Sequence, residues 1–154
     1  MKPIKVTLSL AVVPPLLDVI KSLGEDLKTR PAVPAEALPQ ADPDLNESWT
    51  AGLLEAQISD FSVMLSLFGE DFFSDGVVQV DSSNGEPIVR ACSALRLRLR
   101  ERYLQSLGDE ALEAGEVEMG SLPEAVRKPF MCYLFLATIQ ELIIQHMDES
   151  IAES

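Results

Sequence analysis

The chain of 154 residues holds two cysteines, one histidine, one tryptophan and only 12 basic residues against 25 acidic ones. Each shortage excludes something. Cys92 and Cys132 sit inside apolar stretches, Ala91 to Leu95 and Phe130 to Ala137, whereas a disulfide framework sets its cysteines among turn residues. They read as two buried free thiols of a reducing compartment. With His146 as the sole histidine and no C-x-x-C pair, a zinc site of the usual His and Cys composition cannot be assembled within one chain. His146 itself reads as a solvated residue in a helix's last turn, where a cation is mildly favoured. The formal net charge of −13 disfavours a general nucleic-acid binder, because the surrounding field repels phosphate beyond a Debye length of ~8 Å. Long apolar runs are also missing. The longest uninterrupted one, Phe130 to Ala137, falls far short of the ~20 residues of a membrane-spanning helix. Lys2 and Lys5 before the stretch Val6 to Leu10 superficially copy a signal peptide, but Pro14 and Pro15 interrupt it and no small-x-small cleavage site follows. The expectation is a cytoplasmic protein, neither secreted nor integral to a membrane.

Apolar residues, by contrast, make up 47% of the chain and charged residues 24%, which gives one domain of this length enough material for a core. Lys5 to Leu10 alternates polar with apolar, the period of a strand with one covered face. Pro14 and Pro15 then open a helix expected to run to Lys28, with Leu16, Val19, Ile20, Leu23 and Leu27 at helical spacing. Residues 31–43 hold four prolines and read as a surface linker. Asp42 or Asp44 can cap a second helix, along which Leu54, Ile58, Phe61, Leu65 and Phe68 form one stripe, extended by Trp49 and Leu53, up to Gly69.

Asp75 and Gly76 mark a turn and Val77 to Val80 a short strand. Ser83 and Glu86 have capping-box spacing and Pro87 suits a first turn, so a third helix is expected from Glu86 to Ser106 through Ile88, Cys92, Leu95, Leu99 and Tyr103. Ala94 to Arg102 alternates as a strand would. Leu and Arg are strong helix formers, however, and the helical stripe enters from Ile88, so helix is the expectation. Asp109 to Glu113 can add an acidic helical turn, and Glu116 to Met119 is a candidate third strand. Ser121 and Glu124 form a second capping-box pattern, Pro129 should kink or restart the helix that follows, and Phe130 onward is apolar almost all round, as for a helix at a bundle's centre. The segment 148–154 should fray. The fold expected is mainly α: a single helical domain over 1–154, a bundle of about four principal helices with a short N-terminal strand and a minor β-sheet.

Charge is distributed unevenly. Residues 31–89 contain eleven acidic residues and no basic one, while 90–106 contain five arginines and a single glutamate. On the arginine helix Arg96 and Arg100 share a face, as do Arg98 and Arg102, a candidate strip for docking carboxylates or an acidic peptide. The competing reading pairs these arginines with the chain's own carboxylates, such as Asp60, Glu110 or Glu113. Phe72 and Phe73 are candidates for an exposed aromatic knob, although at least two of Phe68, Phe72 and Phe73 are expected to cap the core. No catalytic, cofactor or metal constellation is found: Asp81 to Gly85 faintly suggests a calcium loop but places Cys92 where the closing glutamate belongs, Glu141 and His146 are wrongly spaced for two ligands, and no nucleophile elbow, P-loop or dinucleotide fingerprint occurs.

The order of strand, Pro-opened helix and acidic helix, then Pro87 to Tyr103 and Tyr133 to Met147, resembles a family of small bacterial proteins of unknown function often encoded beside the adaptor of the Clp protease. Arg96 to Leu99 and Gln140 to Leu142 carry the resemblance, with Arg100 standing where that family has a small residue. It implies helical architecture and a cytoplasmic location and supplies no catalytic residue. The functional expectation is a non-catalytic interaction or regulatory module that docks a protein partner or self-associates. The alternatives are a carboxylate-dependent, metal-assisted enzyme and, third, a nucleic-acid-binding regulator.

Overall fold

The computed structural model describes residues 2–29, 43–108, 112 and 119–153. The linker at 31–42, Glu110 and Glu113 therefore lie outside the described residues, as does all of the third-strand candidate except Met119, which opens a 3-10 turn, Met119–Ser121. Strand β1, Ile4–Thr7, is followed by helix α1, Val13–Leu27, with prolines in its first turn as its sequence foretold. Helix α2 spans Pro43–Leu65 and tightens into a 3-10 turn, Ser66–Phe68. A short helix α3, Glu70–Asp75, ends on Gly76, whose φ of 75° lies in the left-handed region where a side chain is strained. Its N–H donates to the Phe72 carbonyl at 2.7 Å, and the chain turns directly into β2, Val77–Val80. Strands β1 and β2 form a two-stranded antiparallel sheet, Ile4 opposite Val80 and Thr7 opposite Val77.

Helix α4, Gly85–Arg102, resolves the conflict between periodicities. Ile88, Ala91, Cys92, Leu95, Arg98 and Leu99 are buried on one face, whereas Leu97 is 45% exposed on the other, so the leucines that alternate in sequence do not share a side. Its start differs from the capping box expected. The Asp81 carboxylate accepts from the Ser83 N–H at 2.9 Å, Asn84 precedes the helix without a side-chain cap, and its amide instead bonds the Asp81 N–H and the Gln79 carbonyl. A short Asx-type turn satisfies the loop first, and the Ser83 hydroxyl bonds the Asp81 carboxylate there rather than capping the helix.

The last helix, α5, runs over Glu124–Glu153 without the break expected at Pro129 and through the segment expected to fray. Pro129 deprives only the Ala125 carbonyl of its partner. Ala125 is exposed in the first turn of the helix, so its carbonyl is open to solvent. Nor is α5 surrounded as a central helix would be: Met131 and Ile144 stay exposed while Phe130, Tyr133, Leu136 and Ile143 are buried. The helix packed on several sides is α4, which meets α2, α5 and α1, while α1 also meets α2 and α5. By length and composition alone, two stretches, Glu47–Asp75 and Glu124–Met147, are long and apolar enough to cross a membrane. Counting only uninterrupted apolar runs passed them over, because single polar residues such as Asp60 and Gln140 break the runs. In this fold both of those polar side chains bond to α4.

Along α2 the expected stripe is only partly covered. Phe61, Met64 and Phe68 are buried, Ile58 is exposed and Trp49 is 47% exposed. The α1–α2 contact is close where Gly24 faces the Phe61 ring, which occupies the space a Cβ would need. Overpacking of this kind costs ~1–3 kcal/mol, against the ~1 kcal/mol that alanine gains in helix propensity. Gly24→Ala should therefore lower stability by roughly 1–2 kcal/mol in urea unfolding, with the helical circular dichroism of the folded state unchanged.

Candidate functional site

The arginines of α4 do not form one exposed strip. Arg98 follows Leu95 by three residues and precedes Leu99 by one, so the helical period places it on the buried face, where its side chain has 0% exposure. Its Nη1 donates to Asp26 Oδ2 of α1 at 2.8 Å, and its Nε lies 3.8 Å from Glu101 Oε2. Arg96 turns the other way, toward α5. It donates to Gln140 Oε1 at 2.6 Å and to the Tyr133 hydroxyl at 3.0 Å, with its guanidinium carbon 4.7 Å from the centre of the Tyr133 ring. Gln140 is held in turn, donating to the Val89 carbonyl and to Ser93 Oγ. Its amide is thereby oriented with the oxygen toward the cation. Arg100 is half-buried, and exposed Arg102 lies over the Tyr103 ring at 5.2 Å.

Of the carboxylates proposed as internal partners, Asp60 is engaged, but by Arg90. Arg90 Nε and Nη2 each meet a carboxylate oxygen of Asp60 at 3.0 Å, a bidentate pair joining α4 to α2. That hydrogen bond raises the pKa of Arg90 above its ordinary value, with Coulombic help from Asp60 and Glu86 against some desolvation. The aromatic knob also divides: Phe68 and Phe72 are buried and meet edge to face at 5.2 Å, while Phe73 is 49% exposed. His146 is half-buried on α5 well before the helix ends at Glu153, rather than solvated in its last turn. In the loop likened to a calcium site, Asp81 has its pKa lowered by the Ser83 hydroxyl and then the Ser83 N–H, both of which donate to its Oδ1. Among the described residues no three His, Cys, Asp or Glu side chains converge as a metal site.

Between α2 and α4 the packing leaves a groove of about 330 Å³. The Asp60–Arg90 pair closes one end, and Leu53, Ala56, Val89, Ala94 and Leu97 supply most of its apolar wall. Trp49, one turn before Leu53 on the same side of α2, carries the apolar face of that helix beyond the groove and is half-exposed, as is Leu97. Sequence reasoning placed Trp49 and Leu53 on an apolar face but left Leu97 and Ala94 within an arginine strip. The signal for them was the helical period itself, which turns position 97 away from positions 95 and 99.

Both thiols are buried and free, as their apolar surroundings required. Burial pushes the Cys92 thiol up to about 12, offset slightly by the charge of Arg96, and burial pushes Cys132 up to about 12 as well. Neither thiol should react with a disulfide reagent at pH 8 until the protein unfolds, when both should titrate together. Because the unfolded chain releases these protons near 9.0 and the folded one does not, stability should fall as pH rises from there toward about 12. Removing the partner of Arg98 should be costly. Asp26→Ala should destabilise by about 3 kcal/mol in chemical denaturation, at the low end for a buried pair because Asp26 keeps 29% exposure, whereas Arg98→Met should cost less, because the carboxylate it leaves behind is partly solvated. No family model matches the chain, and no curated protein or solved structure matches it significantly.

Proposed function

We propose that this is a non-catalytic, cytoplasmic protein-interaction module that docks a helical segment of a protein partner in the groove between α2 and α4. The observation that carries this reading is an apolar groove lined by Leu53 and a half-exposed Leu97, with the half-exposed Trp49 one helical turn before Leu53 on α2. A large aromatic anchor beside an aliphatic one is the composition of an interface's energetic centre, and a channel between two helices accepts the apolar face of a third. Val89, Ala94 and Ala56 keep the floor shallow and small-chained, which lets a helix approach closely.

Arg96 and Arg98 are committed to Tyr133, Gln140 and Asp26, so the strip first suggested by the sequence is not one continuous docking surface. Phe73 contributes a separate exposed ring beside β2 and does not belong to this surface. The resemblance carried by Arg96 to Leu99 and Gln140 to Leu142 implies the same helical, cytoplasmic character.

Affinity capture with the full chain tests the reading. Leu97→Glu and Trp49→Ala should each abolish recovery of the wild-type partner, since truncating a central anchor costs ~2 kcal/mol or more, while folded-state circular dichroism stays unchanged. Because Trp49 is the one tryptophan, its emission should shift to the blue when that partner is titrated in. Identical capture by wild type and both variants would overturn the assignment of the groove.

A further inference from the structure

The two-stranded sheet has two outer edges, and the chain treats them differently. Leu8 N–H donates to the Gly76 carbonyl at 2.7 Å in a register where Ile4 opposes Val80. Antiparallel pairing alternates, so Ile4, Val6 and Leu8 turn their backbone groups toward β2, and Lys5 and Thr7 turn theirs away. On β2 the outward residues are Val77 and Gln79, and side chains from either end of the strand occupy one backbone group of each. The Asp75 carboxylate accepts the Val77 N–H at 3.0 Å, and the Asn84 amide donates to the Gln79 carbonyl at 3.1 Å. Nothing equivalent guards β1: among the described residues, no hydrogen bond reaches the outward N–H and C=O groups of Lys5 and Thr7.

We propose that this open edge is the docking site for β1 of a second copy of the chain, the two strands meeting antiparallel about a two-fold axis through Val6 to make a four-stranded sheet. Three observations select a second copy. First, the outward residues are self-complementary in this register, since Lys5 falls opposite Thr7 of the second copy and both turn their backbone groups to the seam, as a hydrogen-bonded pair must. Second, the charge suits it. Residues 1–30 carry five basic and three acidic residues in a chain of net charge −13, so β1 lies in the stretch where two copies repel least. Lys5 opposite Thr7 also avoids the like charges that a register centred on Lys5 would bring face to face. Third, the faces continue. Ile4, Val6 and Leu8 are only half-buried over the core, with Leu10 and Val12 exposed just beyond, and the register extends that apolar row across the seam while Lys5 and Thr7 stay on the solvent side. Two strands alone are marginal, and four with one covered face are not.

The site is separate from the groove of α2 and α4, so the two readings stand or fall separately. The test is the mass of the full chain by sedimentation equilibrium, from about 1 to 100 μM, a span in which association of moderate affinity is visible. The expected result is a dimer of the 16.9 kDa chain that dissociates on dilution. Thr7→Pro removes only an outward N–H and leaves the ladder to β2 intact, so it should give a monomer with wild-type helical content. Two further variants read the register by sign even if the proline fails to fold. Thr7→Glu puts a carboxylate opposite Lys5 and should tighten the dimer roughly two- to five-fold per pair, and Thr7→Lys should weaken it by a similar factor. A wild-type monomer at 100 μM, or a dimer indifferent to the sign at position 7, would overturn the proposal.

Discussion

The fold depends on one constraint, that a helix with five arginines must bury one face of itself. Helix α4 meets α1, α2 and α5, and each contact is secured by a guanidinium: Arg98 to Asp26 of α1, Arg90 to Asp60 of α2, Arg96 to Tyr133 and Gln140 of α5. The apolar residues Ile88, Cys92, Leu95 and Leu99 supply most of the burial, and they would do so at several helix rotations. The arginines narrow the choice. A helix rotated by one residue would leave Arg98 without its carboxylate in a dry site, which is far more costly than a misplaced leucine. Polar contacts here specify orientation more than they add stability.

The three contacts differ in kind. Asp60 accepts Arg90 on both carboxylate oxygens at a partly open edge, and Asp26 meets a fully buried Arg98 while remaining partly wet itself. Arg96 has only neutral acceptors and an aromatic ring, and Gln140 reaches that geometry because Val89 and Ser93 hold its other end. A single helix thus presents a graded series, from a solvated bidentate pair to a cation in a neutral cage.

Much of this architecture was legible in the sequence. The prolines opening α1, the stripe from Ile88 to Leu99 and the turn at Asp75 and Gly76 are local signals with local causes, and the structure has them where they were read. What could not be read was which polar residues the tertiary packing would draw inward. Arg98, read from the sequence as part of a docking strip, lies within the apolar period of α4 and is buried, and its partner Asp26 is 72 residues away and carries no sequence mark of that role. Ser83 shows the opposite failure. Its capping-box spacing was correct, yet Asp81 and Asn84 satisfied the loop within itself before the helix began. The groove stayed hidden for a similar reason, since Leu53 and Leu97 become neighbours only when α2 lies antiparallel to α4 with Asp60 against Arg90.

The side chains that seal β2 have a consequence for the limits of assembly. A sheet open on both sides can add strands without end, which is the geometry of a filament, whereas a sheet open on one side stops after a single addition. Asp75 takes the outward N–H of Val77 and Asn84 the outward carbonyl of Gln79, so a strand approaching the far side finds half of that edge's bonding groups already used. Two turn residues thereby weigh against growth of the sheet past two copies, since each leaves a third strand one ladder bond fewer to form.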